Sequence, residues 1–347
     1  MEKIKVLVVM NDMTAIGHYR CGWPGGFIRD NLNDEIEIEI TALESIIVWD
    51  MLKLKQYDVI HFNGAFGYFE SVDELYPMIQ SHGVKLVMDI DDYWEMPEEF
   101  PYKKHVSDKY VEGLLNSVRK ADYITTTTDA FKEKLMDINK NVAVLPNAVD
   151  MSHRMWQSVD EPSDVVRIGW LGSSQRHGDL MRLKDSIDKL YSDKELKGKF
   201  TLALFGGDKE NIKLFEGDGF VNYPWVEAFS FGHYYSKMDI CLAPLKENIY
   251  NQCRSEIKMV ESGMNNKAFI CQDYGIYSGH IEHGKTGLLV KDDNDWYTHI
   301  KMLILDKDLR LKLGRNLNKY VNPKFAIETI AKQRVEFYKS ICNEELV

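Results

Sequence analysis

Arg254, Lys258 and Glu261 follow one another at spacings of four and three within NQCRSEIKMVESG, residues 251–263. At 100° per residue they share one helical stripe, so two cations and a carboxylate point the same way. Ile257, Val260 and Met264 form the neighbouring apolar stripe, which seats such a helix on a core. Ser255 and the free N–H groups of a first turn suit an anion such as phosphate. A surface amphipathic helix with an i,i+3 Lys–Glu pair carries the same pattern. The remainder of the chain has to decide between the two.

Other stretches carry chemistry of the same kind. In RIGWLGSSQRHGDL (167–180) a strand, a small-residue turn and a helix follow one another. Gly172, Ser173 and Ser174 offer backbone and hydroxyl donors there, and Arg176 and His177 add positive charge. This turn and the Arg254 helix together suit one diphosphate, with Glu261 beside them for sugar or ribose hydroxyls. Gly17-His18-Tyr19-Arg20 follows the first apolar run; Gly17 permits close backbone approach and Arg20 is an anion contact if the loop faces a cleft. The spacing is not GxGxxG, which gives a dinucleotide site little support. His61 stands at a strand's carboxyl end, a place for catalysis or acceptor binding as well as for a structural histidine. Asp89, Asp91 and Asp92 end another apolar run. Clustered carboxylates repel, so they call for a role, a Mg²⁺ ion or strong hydrogen bonding, or they cap the following turn. Asp91 and Asp92 cannot both face a cleft while the strand pleat continues.

Strands alternating with helices must position these groups. Apolar runs at 4–10, 57–62, 84–90, 123–127 and 142–145 read as strands, as does the strictly alternating IEIEI at 36–40, nearer an edge, with helical stretches near 45–55, 71–82, 107–121 and 129–138. The polar, proline-bearing stretch 146–163 interrupts the alternation. A second series follows at 165–171, 200–205, 220–223, 239–245, 268–271 and 287–290, and two helical stretches (294–319 and 323–342) close the chain. The pattern is α/β: two tandem Rossmann-like domains with an interdomain cleft, the default place for a ligand. Residues 1–150 make the first domain, 151–163 the linker, 164–322 the second domain and 323–347 a C-terminal helix that packs back toward the first.

Composition narrows the class. The chain has 347 residues, 44% hydrophobic and 28% charged, with a formal net charge of −11. That acidity disfavours a broad nucleic-acid surface. No apolar run approaches the roughly 18 residues of a membrane span, and the N-terminal run is too short for a signal peptide. Five scattered cysteines without CxxC spacing argue for reduced thiols and against zinc. The expected setting is cytoplasmic, with peripheral contact at the inner membrane face left open.

Several segments in order resemble glycosyltransferases of the GT-B fold, of the type called family 4 or group 1. They are DIDDYWEMP (89–97), ADYITTTTDAF (121–131), NVAVLPNAVD (141–150), RIGWLGSSQRHGDL (167–180), YNQCRSEIKMVESG (250–263) and EHGKTGLLV (282–290). The resemblance implies a donor nucleotide sugar held by the second domain and an acceptor held mainly by the first. Asn251, Arg254, Ser255, Lys258 and Glu261 match a variant of the family's donor motif. Glu261 takes the place of the ribose-binding second glutamate, while Cys253 stands where the first belongs. Ser173 stands where the family has a phosphate-gripping arginine, so Arg176, His177, Arg254 and Lys258 must supply the charge. The family's acceptor-side histidine is replaced near Asp91, which points to Asp91 or Asp92 at the acceptor hydroxyl, with His61 and Lys258 as further catalytic candidates. The implied reaction is transfer from a UDP- or GDP-sugar, with retention of configuration. No tightly bound cofactor is implied; a divalent metal is not expected, and activity in excess EDTA decides that point. The acceptor is a glycan, a lipid-linked saccharide or another hydroxyl compound, and a modified base in phage DNA is the less favoured case. Tyr19, Trp23, Phe66, Tyr68, Phe69, Tyr93 and Trp94 are candidates for stacking on it. A catalytically degenerate nucleotide-sugar-binding protein and a nucleotide-sugar epimerase are the alternatives.

Overall fold

The computed structural model describes residues 2–11, 13–34, 36–42, 51–64, 72–173 and 176–343. Within them, two six-stranded sheets form, each parallel throughout. The first contains β1 (Ile4–Met10), β2 (Ile36–Ala42), β3 (Val59–Asn63), β4 (Lys85–Asp89), β5 (Tyr123–Thr126) and β6 (Val142–Val144). The second contains β7 (Val166–Leu171), β8 (Phe200–Phe205), β9 (Val221–Tyr223), β10 (Ile240–Ala243), β11 (Ala268–Gln272) and β12 (Leu288–Val290). Continuous apolar runs such as IKVLVVM form central strands because helices cover both faces of a parallel sheet. Leu7 and Val9 pack into one core and Val6 and Val8 into another, on opposite sides of the same sheet.

The sheet orders are β2-β1-β3-β4-β5-β6 and β12-β11-β10-β7-β8-β9. Strand order therefore reverses between β1 and β3 in the first sheet and between β7 and β10 in the second. A parallel sheet opens a crevice beyond the carboxyl ends of its strands at such a reversal. The segments after β1, β7 and β10 are the ones that carry Arg20, Arg176 and Arg254, with Arg20 in a helical turn, His18–Gly22. The helix Ile327–Cys342 returns to the first sheet, where Val335, Tyr338 and Ile341 pack with Val6, Val8 and Ile28. Residues 151–163 are not a bare tether: Met155 and Trp156 are buried, and Trp156 packs on Phe231 and Tyr235.

The helix expected from Arg254 starts three residues later, at Ile257. A short helix, Ile249–Gln252, capped by the Asn248 side chain, ends at Cys253. Arg254 and Ser255 lie in the break between the two helices. Arg254 therefore reaches the cleft from a loop, not from the helical stripe on which its spacing with Lys258 placed it. The helix Ile257–Met264 is clamped from outside by Lys307–Phe325, where Leu317 and Val321 crowd Gly263.

Gly314 lies in that clamping helix, where a Cβ would stand 2.0 Å from the Asn266 carbonyl oxygen. Inside a helix alanine is ordinarily about 1 kcal/mol better than glycine; this contact reverses the sign. Gly314→Ala is expected to lower the unfolding free energy by about 2 kcal/mol. Urea denaturation measures it, and a stabilised variant would contradict the close approach.

Candidate active site

A cavity of about 520 Å³ opens where the loops of the two sheets meet. The second half contributes Gly172, Ser173 and Arg176 after β7, and Arg254, Ser255, Lys258 and Glu261 after β10. The first half contributes Arg20 and Tyr19 after β1, and Asp91, Asp92 and Phe100 after β4. The fold thus brings eleven of the sequence candidates to one cavity: Tyr19, Arg20, Asp91, Asp92, Gly172, Ser173, Arg176, Arg254, Ser255, Lys258 and Glu261. Gly17, His61, His177 and Asn251 are not in its lining. Ser174, Phe66, Tyr68 and Phe69 lie outside the described residues.

The cations differ in how they are satisfied. The Arg254 Nη1 and Arg176 Nη1 atoms are shielded from solvent and have no hydrogen-bond partner among the described residues. The Arg176 guanidinium lies 4.9 Å from the Phe100 ring centre and 5.2 Å from that of Tyr250, and its Nη1 is 4.0 Å from Asp179 Oδ2. Aromatic faces attract a cation but do not use its N–H donors. Lys258 donates to the Leu171 carbonyl and sits 5.3 Å from the Trp170 ring centre. Burial pushes its pKa down to about 8, partly opposed by Glu261, so the ammonium keeps its proton at neutral pH. Shielded guanidinium donors without partners are costly unless a ligand supplies acceptors.

Glu261 joins the two halves. Its Oε1 accepts from the Tyr19 hydroxyl at 2.5 Å and its Oε2 from the Tyr235 hydroxyl at 2.7 Å. Burial raises its pKa, and both tyrosines and Lys258 act against that rise. A carboxylate has about four acceptor directions, so two remain for sugar hydroxyls. Tyr19 figured in the sequence only as a stacking candidate and Tyr235 not at all. A second contact crosses the cleft: Asn147 Nδ2 donates to Ser255 Oγ at 3.2 Å.

Arg20 lines the cavity, but its guanidinium is largely taken up inside the protein. Its Nε and Nη2 bind Asp89 at 2.8 and 2.7 Å, and its Nη1 donates to the Leu145 carbonyl and to Asn147 Oδ1. Burial alone would raise the Asp89 pKa, but Arg20 and His61 hold it well below the carboxylate range. Arg20 is a strut, because the nearest carboxylate was buried with it. His61 is likewise sealed off. Its Nδ1 lies 2.7 Å from the Tyr338 hydroxyl and its Nε2 3.0 Å from Thr125 Oγ1. Burial lowers its pKa, and a neutral, enclosed imidazole has no path to a ligand. His177 Nδ1 pairs with Asn211 Oδ1 at 2.8 Å. Asn251 donates to Asp179 and to the Lys246 carbonyl, shaping the loop behind Arg254.

Asp91 and Asp92 both line the cavity, against the expectation from strand pleating. β4 ends at Asp89, so the alternation no longer applies beyond it. Burial, then Asp92 and Asp89, raise the Asp91 pKa well above the usual carboxylate value. The third carboxylate of the stretch, Asp89, is taken by Arg20 and by the Thr125 hydroxyl. Among the described residues no three His, Cys, Asp or Glu side chains are grouped to hold a metal ion.

Comparison with solved structures gives the two-sheet arrangement its relatives. Sucrose-phosphate synthase from Thermosynechococcus elongatus superposes with a TM-score of 0.68 at 13% identity, over 99% of this chain and 100% of that one. HepE of Anabaena, solved with UDP and glucose, superposes with a TM-score of 0.69 at 13% identity, over 97% and 100%. The chain has the GT-B fold. The same fold also relates it to a putative UDP-N-acetylglucosamine 2-epimerase from Listeria monocytogenes, with a TM-score of 0.63 at 13% identity over 99% and 98%. No protein-family model and no curated protein sequence matches the chain. In this GT-B chain the cavity lies where both topological reversals face each other. Among the described residues no helix is long and apolar enough to cross a membrane.

Glu256, directly before the helix Ile257–Met264, is 2% exposed, and its Oε1 has no partner among the described residues. Burial pushes its pKa up to about 7 from 4.5. Between these values the unfolded chain gives up the proton first, so stability present below pH 4.5 is lost as pH rises through 7. Glu256→Gln is expected to raise stability at pH 8 by about 2–3 kcal/mol and to add nothing near pH 4.5. Paired thermal melts at the two pH values check it, and a variant equally stabilised at both would contradict the charge account.

Proposed function

We propose that the protein is a glycosyltransferase that moves a hexose-type sugar from a nucleoside diphosphate donor to an acceptor hydroxyl, with retention and without a metal ion. The carrying observation is that three cations of the second half, Arg254, Arg176 and Lys258, line one cavity, and that each arginine there keeps an Nη1 without a partner among the described residues. Residues 1–150 serve the acceptor and 164–322 the donor, joined by 151–163, with 323–347 returning to the first half. The donor is a UDP- or GDP-sugar; HepE, of the same fold, was solved with UDP and glucose. The five cysteines are free thiols, which fits a reducing, cytoplasmic setting.

The chemistry follows from the charges. The bond from the sugar C1 to the β-phosphate oxygen breaks, and its electron pair leaves on the diphosphate. Arg254, Lys258, Arg176 and the Ser173 N–H stabilise that developing charge where it appears, while the Gly172 N–H is held by the Phe205 carbonyl. Glu261 accepts from ribose hydroxyls in the two directions that Tyr19 and Tyr235 leave open. The acceptor oxygen bonds to C1, and its proton passes to the departing phosphate oxygen on the same face. Asp91 or Asp92 orients the acceptor O–H. Closure of the two halves keeps water from C1.

A thermal-shift screen against UDP-, GDP-, ADP- and dTDP-sugars names the donor, and release of the nucleotide reads turnover. Lys258→Ala and Glu261→Gln are each expected to lower turnover by about a hundredfold or more with unchanged circular dichroism. Unaltered turnover in both would sink the assignment. A product that is the donor's own epimer, formed with no acceptor present, would favour an epimerase. Donor binding without hydrolysis or transfer would favour a degenerate binding protein.

A further inference from the structure

The two walls of the cavity carry opposite charge. The cations Arg176, Arg254 and Lys258 all come from the second half. The wall from the first half presents Asp91 and Asp92, and its one cation, Arg20, is spent on Asp89 and on backbone and amide oxygens. The loop that leaves β4 is acidic throughout: residues 89–100 hold Asp89, Asp91, Asp92, Glu95, Glu98 and Glu99 and no Lys, Arg or His. Lys103, next along, is 3.3 Å from Glu98, and neither it nor Lys104 is in the lining. The residues not described (1, 12, 35, 43–50, 65–71, 174–175 and 344–347) contain no Lys, Arg or His, so they add no cation to this wall. Phe100 lines the same side but is buried beneath the Arg176 guanidinium, whereas Tyr102 lines it and is 53% exposed. Carboxylates that accept from vicinal hydroxyls, beside aromatic faces that meet C–H surfaces, suit a sugar ring.

We infer that the acceptor is an uncharged polyhydroxylated ring, a saccharide or cyclitol unit seated on Asp91, Asp92 and Tyr102, and that acceptors with a phosphate or carboxylate next to the reacting hydroxyl are excluded. This rests on the donor assignment above, because a diphosphate on the cationic wall leaves the acidic wall to the acceptor. With the donor diphosphate occupying Arg176, Arg254 and Lys258, an anionic acceptor group would stand beside the carboxylates of the first half, and such like-charge contacts cost several kcal/mol. The wall thereby selects against phosphodiester backbones, including DNA, by repulsion as much as it selects for hydroxyls.

Saturation-transfer NMR on the full chain tests this, with the protein saturated by whichever of UDP, GDP, ADP or dTDP gives the largest thermal shift. The probes are matched pairs: methyl glucoside with glucose 6-phosphate, N-acetylglucosamine with its 6-phosphate, galactose with galacturonate. A short single-stranded oligodeoxynucleotide is added separately. At least one neutral member is expected to bind, each anionic partner about tenfold or more weakly, and the oligonucleotide not at all. The double variant Asp91→Asn/Asp92→Asn, checked for retained nucleotide binding, is expected to narrow the gap to about threefold or less. Anionic members that bind as well as neutral ones, oligonucleotide binding, failure of every neutral member, or a gap unchanged in a nucleotide-binding double variant would each overturn the inference. If no nucleotide binds, the donor assignment falls and takes this inference with it; if a nucleotide binds and the anionic members win, this inference alone falls.

Discussion

Arg20 and the two cavity arginines of the second half, Arg176 and Arg254, are satisfied in different ways. Arg20 finds Asp89 inside the protein, and the pair locks the loop after β1 to the end of β4. Breaking such a pair by removing one partner costs about 3–5 kcal/mol, so the first half's wall is rigidly set. Arg254 and Arg176 keep shielded Nη1 donors without partners. Their demand is left for a ligand. The contrast between a neutralised arginine on one wall and under-satisfied arginines on the other gives the cavity its direction.

The same contrast explains how the halves are held together. Glu261 stands among the donor-side groups yet takes a hydrogen bond from Tyr19 of the first half. Asn147 accepts from Arg20 and donates to Ser255, so the strut in one wall ends on the loop that carries Arg254. Phe229 adds an apolar contact across the cleft, 4.4 Å from the His18 ring centre and 6.0 Å from that of Trp23. A ligand that draws the Arg254 loop therefore pulls directly on the network that fixes the opposite wall.

Much of the fold was legible in the sequence because burial on both faces writes an unbroken apolar run into a strand. All twelve strands lie where they were expected, within two residues at their ends. The cavity-lining loops after β7 and β10 were legible for a related reason: a small-residue turn with nearby cations has a local signature. What stayed hidden was partnership. Arg20 and Asp89 are 69 residues apart, Tyr19 and Glu261 242, and His61 and Tyr338 277. No local spacing encodes such pairs, so Arg20 and His61 looked available when the fold had already used them. The break between Ile249–Gln252 and Ile257–Met264 was hidden too, since a spacing of four fits a helix and a loop equally well.

The most direct measurement is calorimetric binding of a nucleoside diphosphate and of its parent nucleoside to the same protein, with UDP and uridine as the first pair and GDP and guanosine as the second. If shielded arginine and lysine donors wait for a diphosphate, one of the diphosphates should bind at least about a hundredfold more tightly than its nucleoside, and Arg254→Ala should remove most of that difference. Equal affinity of diphosphate and nucleoside in both pairs, or a difference that survives Arg254→Ala intact, would contradict the account.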